Sequence, residues 1–421
     1  MDAMDLRYMK RVRFTLRSVG AWPDHVFSGC PTTKLSVVKR FGYTTFLLVT
    51  CCLSIVSQFA YLMKNMAVFS FVDLGQSVVP FMLSLVYAER TTLPMRRTYR
   101  SVIEEFVLKF HLIHHKNKSE YSFKMYNRVN KICEIATLIQ HIQLFTASFM
   151  YNIVPFYQNY SSDMLSFERP VNGTFKHSVN YLLPFEQNNG FVYTLVCMFN
   201  YFVSYNLGVL LCCHDLQICL IVFHIWGHLK IIEHNLNHFQ RPSIAVNAKT
   251  VPLRYSNEES KDVALCLKNI IQHYIMTKDF VSKTSRAYSI SMCVYHGLHL
   301  ITDCVLLLEC STMDPNTLAT YVLLTLVMFQ QLIQLSVVFE LISSKGDSLA
   351  DAVYGLPWEC MDNSSRRTVL ILLQIVQQPL SLKACGMVPV GVQTMLAVLK
   401  ASFSYFLMLK TFSNKNEHRT M

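Results

Sequence analysis

The feature that most constrains this chain is a set of long apolar runs without charge. Residues 41–63, 135–156, 191–213 and 317–339 hold no Asp, Glu, Lys or Arg. A helix needs about 20 predominantly apolar residues to cross the hydrocarbon core of a bilayer. Three further runs carry one charge each: 67–88 with Asp73, 287–308 with Asp303 and 387–409 with Lys400. In lipid a lone segment can satisfy its backbone polar groups only as a helix. The expected fold is therefore an all-α integral membrane protein with seven transmembrane helices. Only 15% of residues are charged, against roughly a quarter in a soluble domain, because the runs exclude them. Residues 1–40 are polar and basic, without the apolar core and cleavage site of a signal peptide. The first run is expected to act as an uncleaved anchor.

Charge sets the orientation, since cytoplasmic flanks collect Lys and Arg. Residues 1–40 hold 8 of them, 89–134 hold 10, 214–286 hold 9 and 343–386 hold 4. The alternate connections hold one in 64–66, two in 157–190 and none in 309–316, and residues 410–421 hold three. The N-terminus is thus expected in the cytoplasm and, with seven spans, the C-terminus outside. The outer loop 157–190 then carries two N-glycosylation triplets, at Asn159 and Asn172. A net charge of +11 is explained by this topology and calls for no nucleic acid. The orientation is opposite to that of G-protein-coupled receptors, and neither an acidic-Arg-Tyr triplet after the third run nor Asn-Pro-x-x-Tyr in the seventh occurs. Of 14 cysteines, Cys51, Cys52, Cys197, Cys212, Cys213, Cys293 and Cys304 fall inside spans, and no CxxC pair supports a zinc or redox site.

The cytoplasmic segments carry helical periodicity. Residues 95–115 place Val102, Phe106, Phe110 and Ile113 on one face. Residues 214–239 continue the fourth span in the same period, 240–262 break it with two prolines, and 263–286 resume it into the fifth. No separate soluble module is visible, so residues 1–421 read as one membrane domain.

Histidines offer the one constellation fit for enzyme chemistry. His111, His114 and His115 form HLIHH, His224 and His228 form HIWGH, and His234 and His238 form HNLNH. Histidines four apart share a helix face and suit transition metals, as in membrane di-iron desaturases and hydroxylases. Such enzymes need more than one His-x-x-His-His box, and only one exists here. The simpler expectation is that these histidines line the wet face of cytoplasmic helices, with no metal, cofactor or catalytic residue.

Ionisable residues inside spans point to a function or an internal partner. Lys400 lies in the last run among Gln393, Thr394, Ser404 and Tyr405, too polar a helix for a wholly lipid surround, so it is expected to border water as a pore helix does. The outer halves of spans 2, 3, 4 and 6 instead bring Phe69, Phe71, Phe149, Met150, Phe199, Tyr321 and Met328 together with Thr146 and Thr325, a composition suited to an apolar ligand.

Near the C-terminus, residues 348–409 contain PWECMD, RRTVL, GVQTM and SFSYF. This stretch resembles the C-terminal signature of insect odorant receptors, most closely the moth sex-pheromone receptor branch. The resemblance implies a ligand-tuning subunit of an odorant-gated, non-selective cation channel that forms a heterotetramer with a co-receptor. It implies a pore along span 7, a hydrophobic gate at Met408 and Phe412, and a ligand pocket between spans 2, 3, 4 and 6. For the moth branch the implied ligands are long-chain unsaturated acetates, aldehydes or alcohols, delivered by a pheromone-binding protein, with Thr146, Tyr321 and Thr325 as head-group candidates. The plasma membrane of olfactory dendrites is the implied location. Segment 343–386 becomes the cytoplasmic anchor that joins subunits, with Tyr354, Trp358, Arg366 and Arg367 as its contacts. A G-protein-coupled receptor and a di-iron lipid enzyme stand as the alternatives.

Overall fold

The computed structural model describes residues 2–27, 34–69, 71–165, 173–184, 189–242, 254–311, 315–378, 380–384, 386 and 388–420. Its helices are α1 (Arg7–Ser18), α2 (Asp24–Phe27), α3 (Lys34–Asn65), α4 (Phe71–Thr92), α5 (Arg97–Glu105), α6 (Glu120–Ser161), α7 (Gly190–Asn237), α8 (Asn257–Ser311), α9 (Pro315–Ser343), α10 (Lys345–Tyr354), α11 (Asn363–Val376) and α12 (Val392–Thr420). Lys383 and Ala384 pair antiparallel with Pro389 and Val388 just before α12. The seven apolar runs fall on α3, α4, α6, α7, α8, α9 and α12. Two runs begin too early: residues 67–69 are a turn before α4, and 388–389 are a strand. Among the described residues five stretches are long and apolar enough to cross a membrane, on α3, α7, α8, α12 and from α9 onward. Polar residues such as Gln140, His141 and Gln143 dilute α6.

The long helices run past the apolar runs as one piece. α7 continues for 48 residues and α8 for 55, so the bundle has an extended end where the basic segments gather. α7 is the central post, packed by α4, α6, α8 and α9, and 94% of its most apolar window is buried. A side chain at Gly208 would put Cβ 2.8 Å from Leu144 Cδ1, and one at Gly227 would put it 2.5 Å from Leu112 Cδ1. These two glycines let α6 and the segment after α5 lie close against α7.

At the basic end, the single helix expected over 95–115 is instead α5 followed by a wide turn over Phe106–Phe110, closed by His111 N–H to Phe106 O at 2.9 Å. The wider turn lets Phe106, Phe110 and Ile113 all reach the core. Arg90, buried at the end of α4, donates to Asp215 of α7 at 2.7 Å, while Glu89 beside it accepts from Arg96 and from Ser291 of α8. The pair thus joins three helices at one level.

At the opposite end, residues 173–184 are stitched across the tops of α3, α6 and α7. Leu182 exchanges two hydrogen bonds with Ser57, Tyr151 donates to Ser178 O at 2.8 Å, and Asn200 donates to Val179 O.

Candidate functional site: an apolar cavity among four helices

Between α4, α6, α7 and α9 the packing leaves a cavity of about 90 Å³. Leu83, Leu144, Leu207, Leu211 and Met328 are among its apolar wall residues, and Gln143, Ser148, Ser204 and Gln331 are among its polar ones. Gly208 sets its width, because a Cβ there would also stand 3.0 Å from Ser148 Oγ. Ligand sites for apolar molecules have this make-up.

Of the residues proposed from sequence, Met328 lines this cavity. Tyr321 and Thr325 are buried on the same helix nearby, and the Thr325 hydroxyl is turned back to Tyr321 O at 2.7 Å. Thr146, Phe149 and Met150 sit on the exposed face of α6, and Phe199 lines a separate groove between α3 and α7 beside Tyr181. Phe69 lies tilted against Tyr61, ring centroids 5.8 Å apart, in the turn before α4, and the Phe71 side chain lies outside the described residues. The cavity lies among the helices that carry spans 2, 3, 4 and 6, and apart from Met328 its lining differs from the residues proposed from sequence. Gln143, Gln331 and Gly208 were missed, although an amide inside a charge-free run is a signal for an internal partner.

The histidine boxes form a different object. Ile113 N–H donates to His111 Nδ1 at 3.1 Å and Leu112 N–H donates to His224 Nδ1 at 3.3 Å. Both rings therefore carry hydrogen on Nε2, and both Nε2 atoms meet the Tyr8 hydroxyl, at 2.5 and 3.1 Å. One turn along α7, His228 Nε2–H donates to Phe110 O at 2.7 Å and its Nδ1 accepts from His273 Nε2 at 2.8 Å. Burial first, then His114 and His115, pushes His111 down to about 3. Burial first, then Lys118, also lowers His115. The expected wet face is thus corrected for His111, His115, His224 and His228, all of which are buried; His114 and His238 are exposed. No group of three or more His, Cys, Asp or Glu side chains among the described residues is arranged to hold a metal.

On α12, Lys400, Ser404, Tyr405 and Met408 are exposed and just 11% of the helix's most apolar window is buried; the side chain of Phe412 lies outside the described residues. In the segment before it, Tyr354, Trp358 and Arg367 are exposed, while Val353 and Leu356 are buried. Arg366 ties the turn together by donating to Trp358 O and Glu359 O at 3.1 and 2.6 Å. Asn159 is buried: its amide donates to Lys176 O and the Tyr193 hydroxyl at 2.7 and 2.9 Å and accepts from Lys176 N at 2.8 Å. That geometry is at odds with a glycan at Asn159, since both hydrogens of the acceptor nitrogen are used. Asn172 lies outside the described residues.

The family model described as 7tm odorant receptor matches residues 70–403. The chain belongs to the odorant receptor family. It is 26% identical to odorant receptor 22b of Drosophila melanogaster over 173 residues, 40% of this chain and 41% of that one. It is 31% identical to odorant receptor 10 of Aedes albopictus over 67 residues, 16% of this chain and 18% of that one. The matches thus span less than half the length of these curated relatives. In fold it is similar to the insect olfactory receptor OR5 of Machilis hrabei, with a TM-score of 0.77 at 14% identity over 96% of this chain and 97% of that one. The structure of that receptor in complex with eugenol gives a TM-score of 0.78 at 15% identity, covering 98% of this chain and all of the other. Membership makes this chain a membrane receptor and not an enzyme, which removes the di-iron reading.

Proposed function

We propose that this chain is the ligand-tuning subunit of an odorant-gated, non-selective cation channel, built as a heterotetramer with a co-receptor. The observation that carries the reading is the apolar cavity between α4, α6, α7 and α9. It lies apart from the basic end, and its few polar groups suit a hydrophobic volatile. The proposed orientation puts the N-terminus and the 343–386 segment in the cytoplasm, with seven spans on α3, α4, α6, α7, α8, α9 and α12. The four basic connections support it. The moth-like motifs PWECMD, RRTVL, GVQTM and SFSYF support long-chain acetates, aldehydes or alcohols as ligands, in olfactory dendrites supplied by a pheromone-binding protein. Each methylene buried from water contributes about 0.8 kcal/mol. A cavity of about 90 Å³ must widen to take a long chain, and binding opens the pore only as far as it favours the widened, open state.

The exposed polar face of α12 is proposed as pore lining, with Lys400 and Tyr405 along the path and Met408 and Phe412 at the gate. Tyr354, Trp358, Arg366 and Arg367 are proposed as subunit contacts. The test is current evoked by a volatile panel in cells expressing the chain with and without the co-receptor. Current that needs both subunits and survives G-protein block is expected. Current that is abolished by G-protein block, or an N-terminal tag reached by antibody on intact cells, contradicts the reading.

A further inference from the structure

Two amides of the cavity each hold one buried atom without a hydrogen-bond partner, and together they describe a head group. Gln331 is 3% exposed and lines the cavity. Its Nε2 donates to Cys212 Sγ at 3.1 Å, which fixes the amide plane, while its Oε1 is buried without a hydrogen-bond partner. On the facing helix, Gln143 lines the same cavity and its Nε2 is a buried donor without a partner. An unmade hydrogen bond at a buried group costs about 1–3 kcal/mol, so a persistent lone acceptor in an apolar cavity calls for an explanation.

Resting on the reading of this cavity as the ligand site, we infer that Gln331 selects ligands whose head group donates a hydrogen bond, namely a primary alcohol or phenol. A hydroxyl donates to Gln331 Oε1 and accepts from Gln143 Nε2–H. An acetate ester or an aldehyde has oxygens that accept from Gln143 and nothing to offer Gln331. A hydrocarbon satisfies neither. Gly208 adds a limit on shape: Leu144 and Ser148 already crowd the place a Cβ would take, so α6 and α7 stay close at this edge of the cavity.

The experiment is a chain-matched panel of primary alcohol, acetate ester, aldehyde and parent hydrocarbon, at several chain lengths, on cells co-expressing the co-receptor. The readout is the ratio of half-maximal concentrations within each variant, which expression level does not move. The wild-type chain is expected to favour the alcohol over the ester by roughly tenfold. Gln331→Met keeps the volume and removes both hydrogen-bonding groups, so it brings that ratio to about one. Gln143→Met removes the hydrogen bond that alcohol, ester and aldehyde all accept, so it weakens all three and leaves the alcohol-to-ester ratio near its wild-type value. Should Gln331→Met fail to reach the surface, Gln331→Asn withdraws the amide by one methylene and reads the same ratio. A wild-type preference for ester or aldehyde, or a ratio that Gln331→Met leaves unchanged, overturns the inference while the receptor reading stands. Silence across the panel overturns the reading of the cavity itself.

Discussion

Of the five stretches among the described residues that are apolar enough to span a membrane, those on α3 and α12 are covered least: 22% of the most apolar window is buried on α3 and 11% on α12. Their bare faces differ. On α3 the polar side chains Thr44, Ser54 and Gln58 turn inward, and Phe46, Val49, Leu53, Val56 and Phe59 face out. On α12 Gln393, Lys400, Ser404 and Tyr405 are among the residues that face out. A helix surrounded by lipid keeps polar groups off its outer face, because a charge there costs at least about 2.5 kcal/mol. Low burial alone therefore does not identify a lipid-facing helix. The polarity of what is left bare separates a membrane wall from a surface that water or another subunit must complete.

The largest effect should come from placing a charge on each face in turn. Leu53→Lys on α3 should cost about 3 kcal/mol and reduce surface receptor more than tenfold, measured by labelling intact cells. Ser404→Lys on α12 should leave surface level near wild type and alter the current. Equal losses from both substitutions would break the contrast.

Next in size is the α12 side of the comparison at the subunit joint. Trp358, half-exposed near the more exposed Tyr354, should behave as an interface anchor. Such aromatic anchors are worth about 2 kcal/mol or more. Trp358→Ala should weaken co-precipitation with the co-receptor while the alcohol-to-ester ratio of the remaining channels is unchanged; a changed ratio would point to a role in the ligand site.

The smallest effect concerns the basic end, where polar groups also turn inward, as on α3. His111 is held neutral with its pKa down at about 3 by burial, below the ordinary value near 6.5. When α1 loosens, His111 is uncovered and takes up a proton. Stability is thus complete above about pH 6.5 and falls as pH drops from there toward 3. At pH 5.5 the loss is about 1.4 kcal/mol, read as faster hydrogen exchange in Arg7–Ser18. Exchange that slows on acidification would contradict the neutral network.

Much of this fold was legible in the sequence because lipid imposes a simple rule. The four charge-free runs and the three with one charge each all fall on long helices, and the unbroken 3.6-residue period past Cys213 and before Ala287 foretold the long extensions of α7 and α8. The pocket lining was less legible. Thr146, Phe149 and Met150 have the composition of a pocket, but helix rotation turns them outward, and composition carries no rotation without a polar landmark. Gln331 is such a landmark, hidden in a run where two further glutamines, Gln330 and Gln334, blur its phase. The histidines misled for a related reason: box spacing is read along one helix, whereas Tyr8, His111 and His224 meet from three separate segments.

The most direct measurement compares water access at matched points of the two bare helices. Cysteine is introduced as Ser404→Cys on α12 and Leu53→Cys on α3, and each receptor is expressed with the co-receptor. A charged thiol reagent is then applied during odorant stimulation. Irreversible change of the current at Ser404→Cys, with Leu53→Cys unmoved, is the predicted result. Reaction at Leu53→Cys with Ser404→Cys unmoved would contradict a water-facing α12.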